Sequence, residues 1–248
     1  MLRTFWVLLL CLGLPACLSA EDQALREMID RAVKVDRELR EKRTAYEYDL
    51  EMLMEKLDRK DSVLSTRELK ATVRPSVDIS YSIEIEQDTE RKSEAERKKE
   101  QSEMAEAQKI MTKVELEKLV ERFEYRMEGR EMVLGRSAQI IAFQPKKGVP
   151  VASREEKVIN ALKGRLWIDR SSYAILRSEA QLSEPTAVAW FFATMREMTF
   201  AYEASFLPNG DPAPARFDLF YDVQVPFGYQ RQRQKSVMKN YRLVQAER

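Results

Sequence analysis

The run Gly164-Arg165-Leu166-Trp167-Ile168-Asp169, followed at once by Arg170-Ser171-Ser172, constrains the fold more than any other stretch. A β-prone segment, Leu166 to Ile168, ends in an Asp/Arg/Ser/Ser turn and re-enters a long alternating strand, Tyr173 to Leu182. Polar turn residues between two β-prone runs predict an antiparallel hairpin. In its second arm Ala174, Leu176, Ser178, Ala180 and Leu182 share one face, and Tyr173, Ile175, Arg177, Glu179 and Gln181 share the other. A small apolar face backed by a larger mixed one belongs to a sheet that is covered on one side.

The period of two recurs along the chain. Tyr46, Tyr48, Leu50, Met52 and Met54 alternate with Glu47, Asp49, Glu51 and Glu55, with Leu53 the exception. A second strand is predicted over 63–73, before Pro75. Val77, Ile79, Tyr81, Ile83 and Ile85 then alternate with Asp78, Ser80, Ser82, Glu84 and Glu86. Further strands are expected over 123–127, bulged or broken at Gly129, then 136–143 after a Leu134-Gly135 turn, 187–192, 198–206, 217–225 and a basic last strand carrying Arg231, Arg233 and Lys235. Helical spacing appears three times. Asp22 caps a first helix to about Lys42, with Leu25, Met28, Ile29, Ala32, Val35 and Leu39 on one face. Residues 88–122 contain no Gly or Pro and are dominated by Glu, Lys, Arg, Ala and Gln, a charged helical insertion. Ser153-Arg154-Glu155-Glu156 is a capping box opening a short helix that Gly164 ends. The class is α+β: a large antiparallel sheet with helices over one face.

Composition removes much chemistry. The 248 residues include no histidine, so His-based acid/base work, Ser-His-Asp triads and His-ligated metals are excluded. The two cysteines, Cys11 and Cys17, both precede residue 21. Net charge is +1, with no basic field to gather nucleic acid. The acids Glu47, Asp49 and Glu51 form either a carboxylate cluster or the solvated face of an amphipathic strand, and their regular alternation fits the strand. No catalytic residue, metal ligand or cofactor is assigned.

Residues 1–20 read as a secretory signal: Arg3, then an apolar run from Phe5 to Leu14, then Ala16, Ser19 and Ala20. Cleavage after Ala20 gives a soluble chain. Alternatively, Leu14-Pro15-Ala16-Cys17 is a lipoprotein signal to Ala16, with lipidation of Cys17 as the new N-terminus. Either exit places the protein in the periplasm, free or lipid-anchored, without a transmembrane span.

Phe123-Glu124-Tyr125, Gly129-Arg130-Glu131, Gly135-Arg136, Phe143-Gln144-Pro145-Lys146, Lys163 to Asp169 and Tyr173-Ala174-Ile175 together resemble the LolA-like outer-membrane lipoprotein-sorting superfamily, and more closely an exported bacterial branch of it. The order of leader, helix, hairpin strands and charged insert fits as well. The resemblance implies that 21–248 form a single domain, an unclosed β-half-barrel whose concave face is covered by helices. It implies an apolar cavity that takes a lipid, an acyl chain or a lipoprotein. The family's aromatic-x-Pro signal is replaced here by Pro212-Ala213-Pro214-Ala215, and no functional arginine of the carriers is carried over. The inward aromatic and aliphatic positions make Tyr46, Tyr48, Leu50, Ile79, Tyr81, Ile83, Phe200, Tyr202, Phe217 and Leu219 the cavity candidates. Trp190, Phe191 and Phe192 cannot all face inward on one strand, so either both faces of that strand are covered or these three are candidates for the cavity rim. Three functions follow: a non-catalytic binder of an apolar ligand, a regulatory or scaffolding protein that binds a protein partner through the charged helix or the sheet edge, and, least supported, a carboxylate hydrolase.

Since both cysteines precede residue 21, a chain starting there folds by packing alone. Its melting temperature is expected to be the same with and without reductant, and a large drop on reduction would show a cysteine inside the fold.

Overall fold

The computed structural model describes residues 20–75, 81–90, 93–96, 98, 120–151, 154–189 and 193–244. Among these, α1 (Ala20–Arg43) leads into β1 (Tyr46–Leu57), β2 (Val63–Pro75) and β3 (Tyr81–Asp88). After the charged insertion, most of which lies outside the described residues, come β4 (Phe123–Val133), β5 (Arg136–Pro145), α2 (Arg154–Ile159), β6 (Leu162–Asp169) and β7 (Ile175–Leu182). The chain closes with β8 (Thr186–Ala189), β9 (Ala193–Phe206), β10 (Pro212–Val225) and β11 (Gly228–Leu243).

Eleven strands form one antiparallel sheet in the order β3-β2-β1-β11-β10-β9-β7-β6-β5-β4, with β8 added on β9. The two edges, β3 and β4, do not pair, so the sheet is an unclosed half-barrel. Strands consecutive in the chain make every neighbour except two. β1 meets β11, joining the ends of the chain, and β9 meets β7 past the short β8.

α1 lies on one face of this sheet and defines its inside. Leu25, Ile29 and Ala32 pack with Ile141 of β5 and Ile168 of β6, flanked by Tyr125, Met127 and Leu166. One helical stretch further on, Leu39 packs with Ala174 and Leu176, beside Val35, Val133 and Phe206. The apolar stripe predicted from its spacing is thus the seat of the helix. The helix runs from the end of the sheet where β4 and β6 begin to the end where they finish.

Gly164 is corrected from a helix stop to the third residue of β6, because the strand already starts at Leu162. A Cβ there would sit 1.9 Å from the Glu179 carbonyl oxygen and 2.8 Å from the Ala180 Cα of β7. Only glycine permits this approach, and such close passages let a sheet bend. The strand after Phe123 does not break at Gly129. It bulges there, the register slipping between Met127 and Gly129. The second arm of the central hairpin also departs from strict alternation. Trp167 faces Arg177 while Ile168 faces Ile175, so Leu176 is a bulge and Ile175 joins Leu176 on the inner side.

Trp167 is buried from the other, outer face. Its indole Nε1 donates to Glu131 at 2.7 Å, and the Arg177 guanidinium lies 4.6 Å above its ring. The hairpin turn is tied by Asp169, which is 1% exposed. Its carboxylate accepts from the Ser171 N–H at 3.1 Å, the Ser172 hydroxyl at 2.6 Å and Arg136 Nη1 at 3.1 Å. Arg136 also donates to the Gly210 carbonyl and covers the Phe206 ring at 4.1 Å, so the knot joins the β4–β5, β6–β7 and β9–β10 turns. Burial pushes the Asp169 carboxyl up, but the hydrogen bonds from Ser172, Ser171 and Arg136 outweigh it and hold the group below 3.8.

A carboxylate held low stabilises the fold above its unfolded pKa, and that contribution is lost as pH falls through the folded value. Asp169→Asn is expected to cost about 2–3 kcal/mol at neutral pH. Urea melts should show the gap between wild type and variant closing below pH 3.8. A gap that persists in acid would contradict this account.

Candidate functional site

The ladder registers align side chains in straight rows across the inner face. Opposed residues in a ladder point the same way. One row reads Met127, Ile141, Leu166, Ser178, Tyr202, Phe217, Ser236, Met52 and Leu69, from β4 to β2. The next reads Tyr125, Phe143, Gly164, Ala180, Phe200, Leu219, Gln234, Met54 and Arg67. α1 lies over the β4 to β7 part of both and reaches the β9–β10 turn with its last residues.

Partly buried apolar side chains run through the middle of these rows, as they do at Tyr125, Met127, Phe143 and Leu166 nearer α1. Met198, Phe200 and Tyr202 of β9, Phe217, Leu219 and Tyr221 of β10, and Met52 and Met54 of β1 are all only partly buried. Ile141, Ile168 and Leu176 under α1 are 0% exposed. Phe200 and Phe217 stack at 6.1 Å between centroids. Through this apolar surface β11 draws a polar line: Tyr221 donates to Gln232 at 3.1 Å, and Gln234 donates to the hydroxyl of the buried Ser236 at 3.1 Å. The far side is closed by Arg67, whose guanidinium donates to both Asp88 oxygens at 2.9 and 2.6 Å. Where α1 ends, burial pushes the Tyr202 hydroxyl up to about 12, against a smaller opposing pull from Arg43.

Phe200, Tyr202, Phe217 and Leu219 are therefore brought together as neighbours on one surface. Leu50 shares the face one row further along, opposite Met238 and Ala71. Tyr46 and Tyr48 lie at the end of β1 in a separate cluster. Tyr46 packs with Leu207, Ala213 and Tyr241, and Tyr48 tilts against the Tyr241 ring at 5.1 Å. Ile83 sits near the sheet edge opposite Val73, with Tyr81 at the start of the same strand. Ile79, Cys17, Trp190, Phe191 and Phe192 lie outside the described residues. The sequence reading missed Met52, Met54, Tyr221, Gln232, Gln234 and Ser236. On β11 the signal was present: Arg231, Arg233 and Lys235 alternate with Gln232, Gln234 and Ser236, so the cations mark one face and the amides the other.

That cationic face is occupied. Arg233 meets Glu55 at 2.7 Å, Lys239 meets Glu51 at 2.8 Å, and Arg242 reaches Glu47 and Asp49 at 2.9 and 2.6 Å. Glu47, Asp49 and Glu51 are thus the solvated strand face, held low mainly by hydrogen bonds from Arg242 and Lys239. Among the described residues no group of acids or cysteines could hold a metal ion. A cleft of about 470 Å³ opens on this outer face where β10 bulges at Ala215, lined by Glu203, Arg216, Val237 and Lys239. It contains none of the predicted cavity residues. No described helix is long and apolar enough to cross a membrane.

No family model matches the chain, and no curated protein matches it. Among solved structures it is similar to a domain assigned as an outer membrane lipoprotein-sorting protein from Vibrio parahaemolyticus, with 11% identity, 89% of this chain and 95% of that chain covered, and a TM-score of 0.36. It is similar to a DUF1329 family protein from Desulfovibrio piger, with 13% identity, coverage of 90% and 94%, and a TM-score of 0.38. A LolA superfamily protein from Nitrosomonas europaea gives 9% identity, coverage of 89% and 93%, and a TM-score of 0.33.

The raised Tyr202 pKa has a consequence at high pH. A phenol that stays protonated in the fold while its unfolded counterpart ionises near 10 costs stability as the pH rises from 10 towards about 12. Tyr202→Phe should flatten that decline in thermal melts, and an unchanged alkaline profile would show that the hydroxyl is not buried as described.

Proposed function

We propose that this chain is a non-catalytic binding protein of the bacterial envelope that holds a linear apolar ligand, an acyl chain above all, across the middle of its inner face. The observation that carries the reading is the half-open apolar row itself. From β9 to β1 the strands span about 14 Å at the usual strand spacing. Along that distance Phe200, Tyr202, Phe217, Leu219, Met52 and Met54 keep accessible apolar surface on the inner face, beside the core that packs under α1. Each CH₂ buried there contributes about 0.8 kcal/mol. Methionine thioethers adapt to a chain of any curvature. The amides of Gln232 and Gln234 supply hydrogen bonds for a carbonyl or ester at the head of such a ligand.

In this reading residues 1–20 are the export leader, 21–248 act as one domain, and the protein works in the periplasm, free or held through a lipidated Cys17. The resemblance of residues 123–182 to the lipoprotein-sorting superfamily supports it, as do the names of the similar structures. A partner-binding role through the basic strand is less well supported, because Arg233, Lys239 and Arg242 are already paired with β1 acids.

The test is native mass spectrometry of protein purified from its own envelope, together with titration by a fluorescent fatty acid. Wild type should carry lipid and bind the probe. Met52→Trp and Leu219→Trp, which fill the row from opposite sides of β11, should lose the lipid and bind the probe about tenfold more weakly while keeping the melting temperature within a few degrees. Lipid-free wild type that also ignores the probe would sink the proposal.

A further inference from the structure

The end of the sheet where β10 turns into β11 presents an aromatic side chain to solvent by construction. Val225 pairs with Gly228, leaving Pro226-Phe227 as a two-residue turn. Gln224 Nε2 donates to both the Val225 and Gly228 carbonyls, at 3.0 and 2.7 Å, and so pins the turn from beneath. Phe227 is 103% exposed. An aromatic ring held fully in water on a pinned turn makes no contribution to the fold's own packing.

The neighbouring β1–β2 turn is tied to it. Arg231, next along from the tip, meets Asp61 at 2.7 Å, and Arg59 lies 5.0 Å over the Tyr229 ring. Asp58 accepts from the Lys60 and Ser62 N–H groups at 2.7 and 2.9 Å, which fixes that turn as well. It presents Val63 and Leu64, 47% and 66% exposed, beside the exposed Arg59 and Lys60. The acids of this end are engaged internally, Asp58 by backbone N–H groups and Asp61 and Asp222 by Arg231, while Lys60 faces outward. α1 also starts at this end, since Leu25 and Ile29 pack near Val120 and Tyr125 at the beginning of β4. The N-terminal side of the chain and the two apolar tips therefore point to the same side of the molecule.

We infer that these paired turns are a membrane-contact edge: Phe227, Val63 and Leu64 dip into the interface of a bilayer, and Arg59 and Lys60 meet anionic headgroups. Apolar side chains at rigid tips with cations behind them suit the boundary between acyl chains and a negative surface. The inference does not depend on what the inner face binds.

The experiment is flotation of the protein, made from residue 21 onward, with vesicles of phosphatidylcholine with and without phosphatidylglycerol. Wild type should float with the anionic vesicles. Phe227→Ser combined with Leu64→Ser should weaken that about tenfold, and Lys60→Glu about fivefold, with unchanged melting temperatures because all three side chains are exposed. Met132→Ser with Leu243→Ser, which removes exposed apolar groups from the opposite end, should leave flotation as in wild type. The inference is overturned if wild type does not float, if the tip variant floats equally well, or if the opposite-end control loses flotation instead. It is also overturned if wild type sediments as a dimer that the tip variant dissolves, since the tips would then meet a second copy. Fatty-acid titration of the tip variant keeps the two readings apart: its inner face should bind the probe as wild type does.

Discussion

Among the described residues one long helix, α1, lies against the inner face of this broad open sheet. α1, with 24 residues, spans about 36 Å along its axis. It crosses the inner face from the start of β4 to the β9–β10 turn, where Lys42 meets Asp211. Under it Ile141, Ile168 and Leu176 have no exposed surface, and Tyr125, Met127 and Leu166 flank them partly buried. The same rows continue through β9, β10, β11 and β1, where Phe200, Phe217, Leu219, Met52 and Met54 are partly buried and form the candidate site.

Keeping such a sheet bent and single takes two kinds of device. On the inside, Gly164 lets β6 pass β7 at a distance no side chain would allow, and bulges at Leu176, Glu128 and Ala215 shift the register where strands must curve. On the outside, charge does the matching. The acids of β1 meet the cations of β11 residue by residue, which fixes the pairing between the chain's first and last strands. These pairs are largely solvated and each contributes little to stability, roughly 0–1 kcal/mol. Their effect is on register: a slip by one residue would set Glu47, Asp49 and Glu51 inside and Tyr48 and Leu50 outside. The Asp169 knot is the buried counterpart, one carboxylate joining three turns at the end where α1 finishes.

The two ends of the half-barrel are unlike. At the finishing end the turns are stitched to one another and to α1, through Arg136 to Gly210 and Lys42 to Asp211. At the other end the turns are tied to one another through Arg231 to Asp61 and Arg59 to Tyr229, and they hold Phe227 fully exposed with Arg59 and Lys60 beside Val63 and Leu64.

The sequence by itself determined the class of fold, the antiparallel hairpins, the apolar stripe of α1 and the solvated face of β1. Each of these is a local periodicity, set by which way successive side chains point. It also excluded histidine chemistry outright. What only the tertiary structure decided was the partnership of distant strands. Phe200 and Phe217 were visible as inward residues, but that they lie in one row with Met52, and not with Tyr46 or Tyr48, depends on β1 closing against β11 across almost the whole chain. Gln232 and Gln234 look like part of a basic strand until that pairing draws Arg233 outward to Glu55 and leaves the amides inside. Gly164 resembles a helix stop until β7 is seen to pass over it. Register between strands far apart in sequence is fixed by mutual packing, and no window of a single strand contains it.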